Sequence, residues 1–134
     1  MRVPAIAFIL IVCASQEANS ARWAYIGKSA NRLNFIASES ITRGDDGMVN
    51  AWFLTTNNDS SAEEAIKSVK VLHVFDCKKR MYGVLHAIGY KDVFGLGRSV
   101  KPPENAYEKA MTPVAPGTTG EEMMQFACVN PTQL

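Results

Sequence analysis

The sequence predicts an α+β, mainly β domain, with a single curved antiparallel β-sheet of about five to six strands and one C-terminal α-helix tied to it by a disulfide. Segments 68–77 and 81–90 are rich in β-branched and aromatic residues and follow the two-residue period of strands. Segment 121–129 has apolar residues at helical spacing instead. The chain of 134 residues is long enough for one compact domain.

The composition is that of an ordinary globular domain. The chain has 14 Lys and Arg residues against 13 Asp and Glu residues, for a formal net charge of +1. This balance excludes a strongly basic body that binds nucleic acid mainly through phosphates. Because 47% of the residues are hydrophobic, the chain is too apolar to be disordered. We expect a folded protein with no nucleic-acid partner.

Residues 1–20 have the pattern of a secretory signal peptide. Arg2 precedes an apolar run over 3–14, and segment 18–20 (Ala-Asn-Ser) offers small residues at positions −3 and −1 of a cleavage after Ser20. The run is shorter than the ~20 residues that span a bilayer. We therefore predict a signal peptide at 1–20 and a mature domain at 21–134, without a transmembrane segment.

The compartment follows from the signal peptide. The mature chain is expected in the periplasm, in the medium or at the outer-membrane surface. A lipoprotein signal with acylated Cys13 is an alternative, although Val12 stands where such signals have a small residue.

Export leaves two cysteines, Cys77 and Cys128. An even pair in an oxidising compartment predicts one disulfide, which would stabilise the fold by about 4 kcal/mol in the chain-entropy model. The alternative, a nucleophilic cysteine, needs a His base and an orienting group. His73 and His86 are the only histidines, and no motif around either cysteine supports this chemistry.

The first half of the mature chain predicts a strand at 22–27, a short apolar piece at 34–37 and a hairpin at 41–55. The hairpin turns at 44–47 (Gly-Asp-Asp-Gly), a strong turn sequence. The aromatic residues of these and the next strand are expected to build the core. They are Trp23, Trp52, Phe53 and Phe75.

The second half predicts a hairpin of 68–77 with 81–90, followed by a short strand at 93–100 in which two glycines permit a bulge. Thr118 or Thr119 then caps a helix at 121–129. On this helix Met124, Ala127 and Cys128 form an apolar stripe that docks on the sheet. The disulfide would join this helix to the end of the strand at 68–77.

Two constellations are candidates for function. If the second hairpin is centred between Lys79 and Arg80, His73 and His86 lie opposite each other and form a remote candidate pair for a metal ion. We otherwise expect no metal, no cofactor and no catalytic residues.

The second constellation is the hairpin tip, Lys78, Lys79 and Arg80. This cationic tip could bind an anionic glycan or an acidic face of a protein. The alternative is a solvated turn, since three charges supply little affinity at physiological salt.

Several segments together resemble the surface-adhesin protein E family of Gram-negative bacteria across nearly all of 22–129. They include FIASESI (35–41), KVLHVFDCKKRMY (70–82), YKDVFGLG (90–97) and TPVAPGTTGEEMMQFAC (112–128). The marks of the resemblance are the Ser-Glu-Ser-Ile element, the Cys that ends a central strand, and a Pro-Gly turn before a helix that ends in Cys.

The resemblance implies a small antiparallel sheet with a C-terminal helix tied by Cys77–Cys128. It also implies an outer-membrane lipoprotein that binds host vitronectin and laminin and occurs in dimeric forms. This chain departs from the pattern, because it has no clear lipobox and its segments 57–66 and 101–109 are mixed or acidic rather than rich in Lys and Arg.

The function expected from these observations is a non-enzymatic exported binding module that engages an extracellular or periplasmic protein or an anionic glycan, with a homodimer as a further expectation. The alternative is a true surface adhesin for extracellular-matrix proteins. A remote alternative is a periplasmic metal-binding protein or hydrolase that uses His73 and His86.

Overall fold

The structure, a computed structural model, describes residues 22–61, 63–101 and 110–129. In these ranges it contains one antiparallel sheet of seven strands and one C-terminal helix, which confirms the predicted fold class. The predicted signal peptide at 1–20 lies outside the described residues. The elements are β1 (Trp23–Ser29), β2 (Arg32–Arg43), β3 (Met48–Asn57), β4 (Ser68–Asp76), β5 (Met81–Tyr90), a 3₁₀ turn (Val93–Gly95), β6 (Ser99–Val100), β7 (Thr112–Pro113) and α1 (Thr119–Cys128).

The sheet is a meander in which strands β1 to β6 are neighbours in chain order. The two predicted hairpins are present as β2–β3 and β4–β5. At the first turn, Gly47 adopts a φ of 79°, and the Asp46 carboxylate accepts a hydrogen bond from the Met48 amide at 2.9 Å. β7 pairs with β5 near the second hairpin turn and brings the chain to the start of the helix.

One face of the sheet, here called the covered face, packs against α1. Strand periodicity places every second side chain of β3 and β4 on this face. Apolar residues of the helix and of the segment before it complete the core. The buried core residues are Ile36, Val49, Ala51, Phe53, Phe75, Val114, Met123, Met124 and Ala127.

Side-chain hydrogen bonds fix both ends of the helix. At its start the Thr118 hydroxyl accepts from the Glu121 amide at 3.3 Å, so Thr118 is the N-cap. At its end the Arg43 guanidinium donates to the carbonyls of Cys128 and Val129 at 3.1 and 3.0 Å. A cation is favourable there because helix carbonyls leave negative charge at the C-terminus. The helix begins two residues before the predicted range and ends at Cys128.

The predicted strand at 93–100 is wrong over most of its length. Only Ser99–Val100 pairs with β5, and the residues before it form the 3₁₀ turn. Phe94, Gly95 and Gly97 have φ angles of 56°, 71° and 77°, a left-handed conformation that strands do not adopt. The chain between β5 and β6 therefore folds back over the sheet.

The opposite face of the sheet, here called the open face, has no helix on it within the described residues. Direct strand pairing aligns Trp23, Ala37, Trp52, Leu72 and His86 in one row from β1 to β5. Phe94 of the β5–β6 loop packs at one end of this face, with its ring 6.0 Å from that of Phe35. Within the row, Trp23, Trp52 and Leu72 are partly exposed and His86 is exposed, whereas Ala37 is buried.

No helix in the described ranges has the length and hydropathy that crossing a bilayer requires. α1 has ten residues.

Candidate functional site

The predicted disulfide is present. Cys77 follows the last residue of β4 and Cys128 ends α1, with 5.9 Å between their Cα atoms and a sequence separation of 51 residues. The bond ties the end of the helix to the end of β4, an inner strand of the sheet. Since both sulfur atoms are in the bond, neither cysteine is available as a nucleophile in this state.

The cationic tip occupies the β4–β5 turn, where Lys78, Lys79 and Arg80 are all exposed. The Asp76 carboxylate accepts a hydrogen bond from the Lys79 amide at 3.1 Å and thereby holds the turn. The three side chains are not equivalent, because among the described residues only the Arg80 side chain has a partner elsewhere in the fold.

Arg80 joins the turn to the helix. Its guanidinium lies 2.6 Å from the Glu121 carboxylate in the first turn of α1, and its carbonyl accepts from the Val114 amide at 2.8 Å. Within the described residues, Lys78 and Lys79 take part in no ion pair. The charge that the tip can offer to a ligand therefore resides mainly in the two lysines.

The predicted opposition of His73 and His86 is wrong. His73 pairs with Val84, and His86 pairs with Leu72, because the turn is centred nearer to Cys77 than predicted and a bulge at Leu85 shifts the register of β5. Adjacent residues of a strand point to opposite faces, so His73 lies on the covered face and His86 on the open face. The two rings cannot bind one metal ion.

His73 is a core residue. Its ring lies 5.4 Å from that of Phe53 and 5.8 Å from that of Tyr82, and its Nδ1 is 3.3 Å from the Gly83 carbonyl. Burial lowers the pKa of His73, and the hydrogen bond to Gly83 opposes this shift in part. Among the residues described, no group of three or more His, Cys, Asp and Glu side chains is arranged to hold a metal ion.

The open face contains a cleft of about 300 Å³ near its centre. Aromatic and aliphatic side chains from three strands line it, namely Trp23, Trp52, Ile88 and Tyr90, and all four are partly exposed. Two of these, Trp23 and Trp52, were expected in the core. The expectation is wrong because Trp52 and the buried Phe53 are neighbours in one strand and must face opposite sides.

A local irregularity of β2 shapes one side of the cleft. The ladder between β2 and β3 shifts between Ala37 and Thr42. There the Ser40 hydroxyl donates to the Ala37 carbonyl at 2.6 Å and accepts from the Trp52 amide at 2.8 Å. The side chain thus replaces a missing ladder bond. The Ser-Glu-Ser-Ile element, at 38–41, forms this irregularity.

Of the residues that the structure describes, Lys70 is the only charged one that lines the cleft. Its Nζ lies 4.9 Å from the ring centroid of Tyr90 and 5.7 Å from that of Trp23, within the range of cation–π attraction. Gly95 makes room for this side chain, because a Cβ at Gly95 would lie 2.7 Å from the Lys70 Cε. The aromatic rings and the loop together hold the ammonium group at the cleft.

Two buried hydroxyls hold the β5–β6 loop in place. Thr56 accepts from the Phe94 amide at 2.8 Å, while Ser68 accepts from the Gly95 amide at 2.9 Å and donates to the Asp92 carbonyl at 2.6 Å. Sequence patterns do not reveal this arrangement, since the partners are 24 to 38 residues apart.

Comparisons with known proteins agree with the architecture. The sequence profile of the family described as surface-adhesin protein E matches residues 23–129, and no curated protein sequence matches the chain. A structure of Haemophilus influenzae protein E is similar with a TM-score of 0.63 at 18% identity, over 84% of this chain and 87% of that one. A structure of protein E from non-typeable Haemophilus influenzae is similar with a TM-score of 0.57 at 20% identity, over 86% of this chain and 82% of that one.

At these identities the structural likeness shows the fold. The profile match adds the family, since it spans nearly all of the described residues and includes both cysteines, the Ser-Glu-Ser-Ile element and the terminal helix. The chain belongs to the surface-adhesin protein E family.

Proposed function

We propose that this protein is an exported, non-enzymatic binding module that docks a partner protein on the open face of its sheet, in the periplasm or at the cell surface. The observation that carries the proposal is the group of partly exposed apolar side chains around the cleft on that face, Trp23, Trp52, Ile88 and Tyr90. Membership in an adhesin family supports both export and binding.

The open face has the composition of a protein interface. Aromatic residues are enriched in such interfaces, and a few buried Trp, Tyr and Arg side chains supply most of the binding energy. Trp23, Trp52 and Tyr90 lie close together around one cleft, with the His86 ring 6.0 Å from that of Trp52. A cleft lined by adjacent aromatic side chains that the described chain leaves uncovered is a candidate interaction site.

The cationic tip supports a second, more specific function. Lys78 and Lys79 are exposed and form no ion pair with any residue that the structure describes. In this version the protein is a true surface adhesin, and the lysines contact acidic regions of vitronectin, laminin or a sulfated glycan. Such contacts raise association rates more than affinity and weaken with salt.

Binding measurements on two sets of variants separate these surfaces. The protein is purified in oxidised form from the periplasm of an expression host and titrated against immobilised vitronectin, laminin and heparin. If the open face is the contact, Trp52→Ala weakens binding to a protein partner by about tenfold or more, while the double variant Lys78→Ala/Lys79→Ala changes it little. Phe126→Ala, on the helix and 45% exposed, is the matched aromatic control.

The reverse pattern would contradict the proposal that the open face is the contact surface. If the lysine double variant loses binding and Trp52→Ala retains it, the adhesin uses its tip. Failure of all three probes to bind would contradict the adhesin version. A specific turnover abolished by one point substitution would contradict the non-enzymatic assignment.

The expected homodimer is tested on the same protein. Sedimentation equilibrium of the wild type and of Trp52→Ala measures the mass in solution. If the wild type has the mass of two chains and Trp52→Ala has the mass of one, the partner that docks on the open face is a second copy of this chain.

A further inference from the structure

The cleft on the open face combines three features that no other described surface combines. It is concave, its walls are mainly aromatic, and one cation stands at its edge. Its volume of about 300 Å³ is at the small end of the range for ligand pockets. A space of this size accommodates one large side chain with its adjoining backbone, rather than a whole peptide.

Lys70 has no anionic partner among the described residues. Within the described ranges no carboxylate lies within ion-pairing distance of its ammonium group. Aromatic faces attract a cation, but a ring offers no lone pairs to its three N–H donors. A carboxylate that entered the cleft would therefore add charge-assisted hydrogen bonds that the folded chain does not provide itself.

The lysine is also held in place before any ligand arrives. Gly95 permits the loop to pass close to the Lys70 side chain, and the buried residues Thr56 and Ser68 anchor that loop by hydrogen bonds to its backbone. A group that is already ordered loses less conformational entropy on binding. Gly95 thus helps to position the Lys70 side chain.

We propose, on the basis of the proposed function, that the Lys70 cleft is the anchor pocket for a partner segment in which a carboxylate adjoins an aromatic side chain. A C-terminal aromatic residue has this chemistry. Its ring would lie against Trp23, Trp52 and Tyr90, and its carboxylate would pair with the Lys70 ammonium.

Two small probes isolate the role of the charge. N-acetyl-L-phenylalanine carries the ring and a carboxylate, whereas its amide carries the same ring without charge. Nuclear magnetic resonance follows the titration of the oxidised, ¹⁵N-labelled protein at neutral pH and low salt. The chain has two tryptophans, and both line the cleft, so each indole N–H signal reports on binding there.

The expected result is a joint, saturable shift of both indole signals, with the acid binding about fivefold tighter than the amide, as for a partly exposed ion pair. Lys70→Met should remove the preference for the acid, and Lys70→Arg should retain it. Lys79→Met, a charge removal at the hairpin tip, should leave it unchanged. Added salt should reduce the preference.

Equal binding of acid and amide to the wild type would overturn the proposal, as would an unchanged preference in Lys70→Met. Indole signals that do not move would also overturn it. This holds even if the cause is a second copy of the chain on the cleft, which sedimentation would reveal as a two-chain mass that falls to a one-chain mass in Trp52→Ala. If the probes behave as expected but Trp52→Ala still binds its protein partners, the cleft chemistry stands and the open face fails as the docking surface. If instead Trp52→Ala loses its protein partners but the acid shows no preference over the amide, the open face stands as the docking surface and only the Lys70 anchor is overturned.

Discussion

The two faces of the sheet carry similar residue types but different surroundings. Phe53 and Trp52 are neighbours in β3; Phe53 is 1% exposed in the core beneath α1, whereas Trp52 borders an open cleft. One ten-residue helix and one disulfide cover only one side. Apolar content therefore does not distinguish a core face from a binding face. What distinguishes them is whether another element of the chain packs there.

The first prediction compares these two neighbours directly. Phe53→Ala should lower the free energy of unfolding by about 3–5 kcal/mol, because it leaves a cavity among packed aromatic rings. Trp52→Ala should cost clearly less, about 1–2 kcal/mol, because its ring is already partly hydrated and its removal leaves open cleft rather than a closed void. Urea denaturation of both variants measures the difference. Equal losses would mean that the two faces are equally packed.

The second prediction concerns the bond that holds the covered face together. Cys128→Ala should lower the free energy of unfolding by about 2–4 kcal/mol, since the unfolded chain regains the freedom of a long loop. The same measurement on the double variant Cys77→Ala/Cys128→Ala should give nearly the same loss, which controls for the free thiol left in the single variant. If oxidised wild type and both variants unfold alike, the disulfide does not stabilise the helix on the sheet.

The third prediction uses the titration of His73 on the covered face. Burial lowers the pKa of His73 in the folded state below the ordinary value of about 6.5 in the unfolded chain. The unfolded chain therefore binds the proton more readily. The contribution of neutral His73 to the free energy of unfolding is fully present above about pH 6.5. It is lost as the pH drops from there towards the folded pKa, by at most about 1.4 kcal/mol per pH unit for one proton.

Urea denaturation between pH 8 and pH 5 checks this dependence. His73→Phe should flatten the pH profile of the unfolding free energy, while His86→Gln, on the exposed side of the sheet, should keep the wild-type slope. A profile that is unchanged in His73→Phe would show that other groups cause the loss of stability in acid.

Much of the fold was predictable because its signals are local. The strand period in 68–77 and 81–90, the turn at 44–47 and the threonine cap of the helix each involve residues within a few positions of one another. The pairing of Cys77 with Cys128 was predictable for a different reason, since the predicted removal of residues 1–20 would leave no other cysteine to choose.

The details of the site were less predictable. The register of β4 and β5 depends on a bulge at Leu85, and a change of one or two residues in the pairing separates His73 from His86. The strand predicted at 93–100 fails because left-handed residues at Phe94 and Gly95 turn the chain. The open face could have been anticipated from one signal, the adjacency of Trp52 and Phe53, which cannot both be buried on one side.

By itself the amino-acid sequence determined the class of fold, the disulfide and the family, because hydrophobic period, cysteine count and motif order are properties of the chain alone. Only the tertiary structure decided which side of the sheet the helix covers, and hence that Trp23, Trp52 and Lys70 surround an accessible cleft. These three residues belong to three different strands, and their proximity arises from strand register and from a loop anchored by buried hydroxyls. Both depend on contacts between residues far apart in the sequence, which no local pattern records.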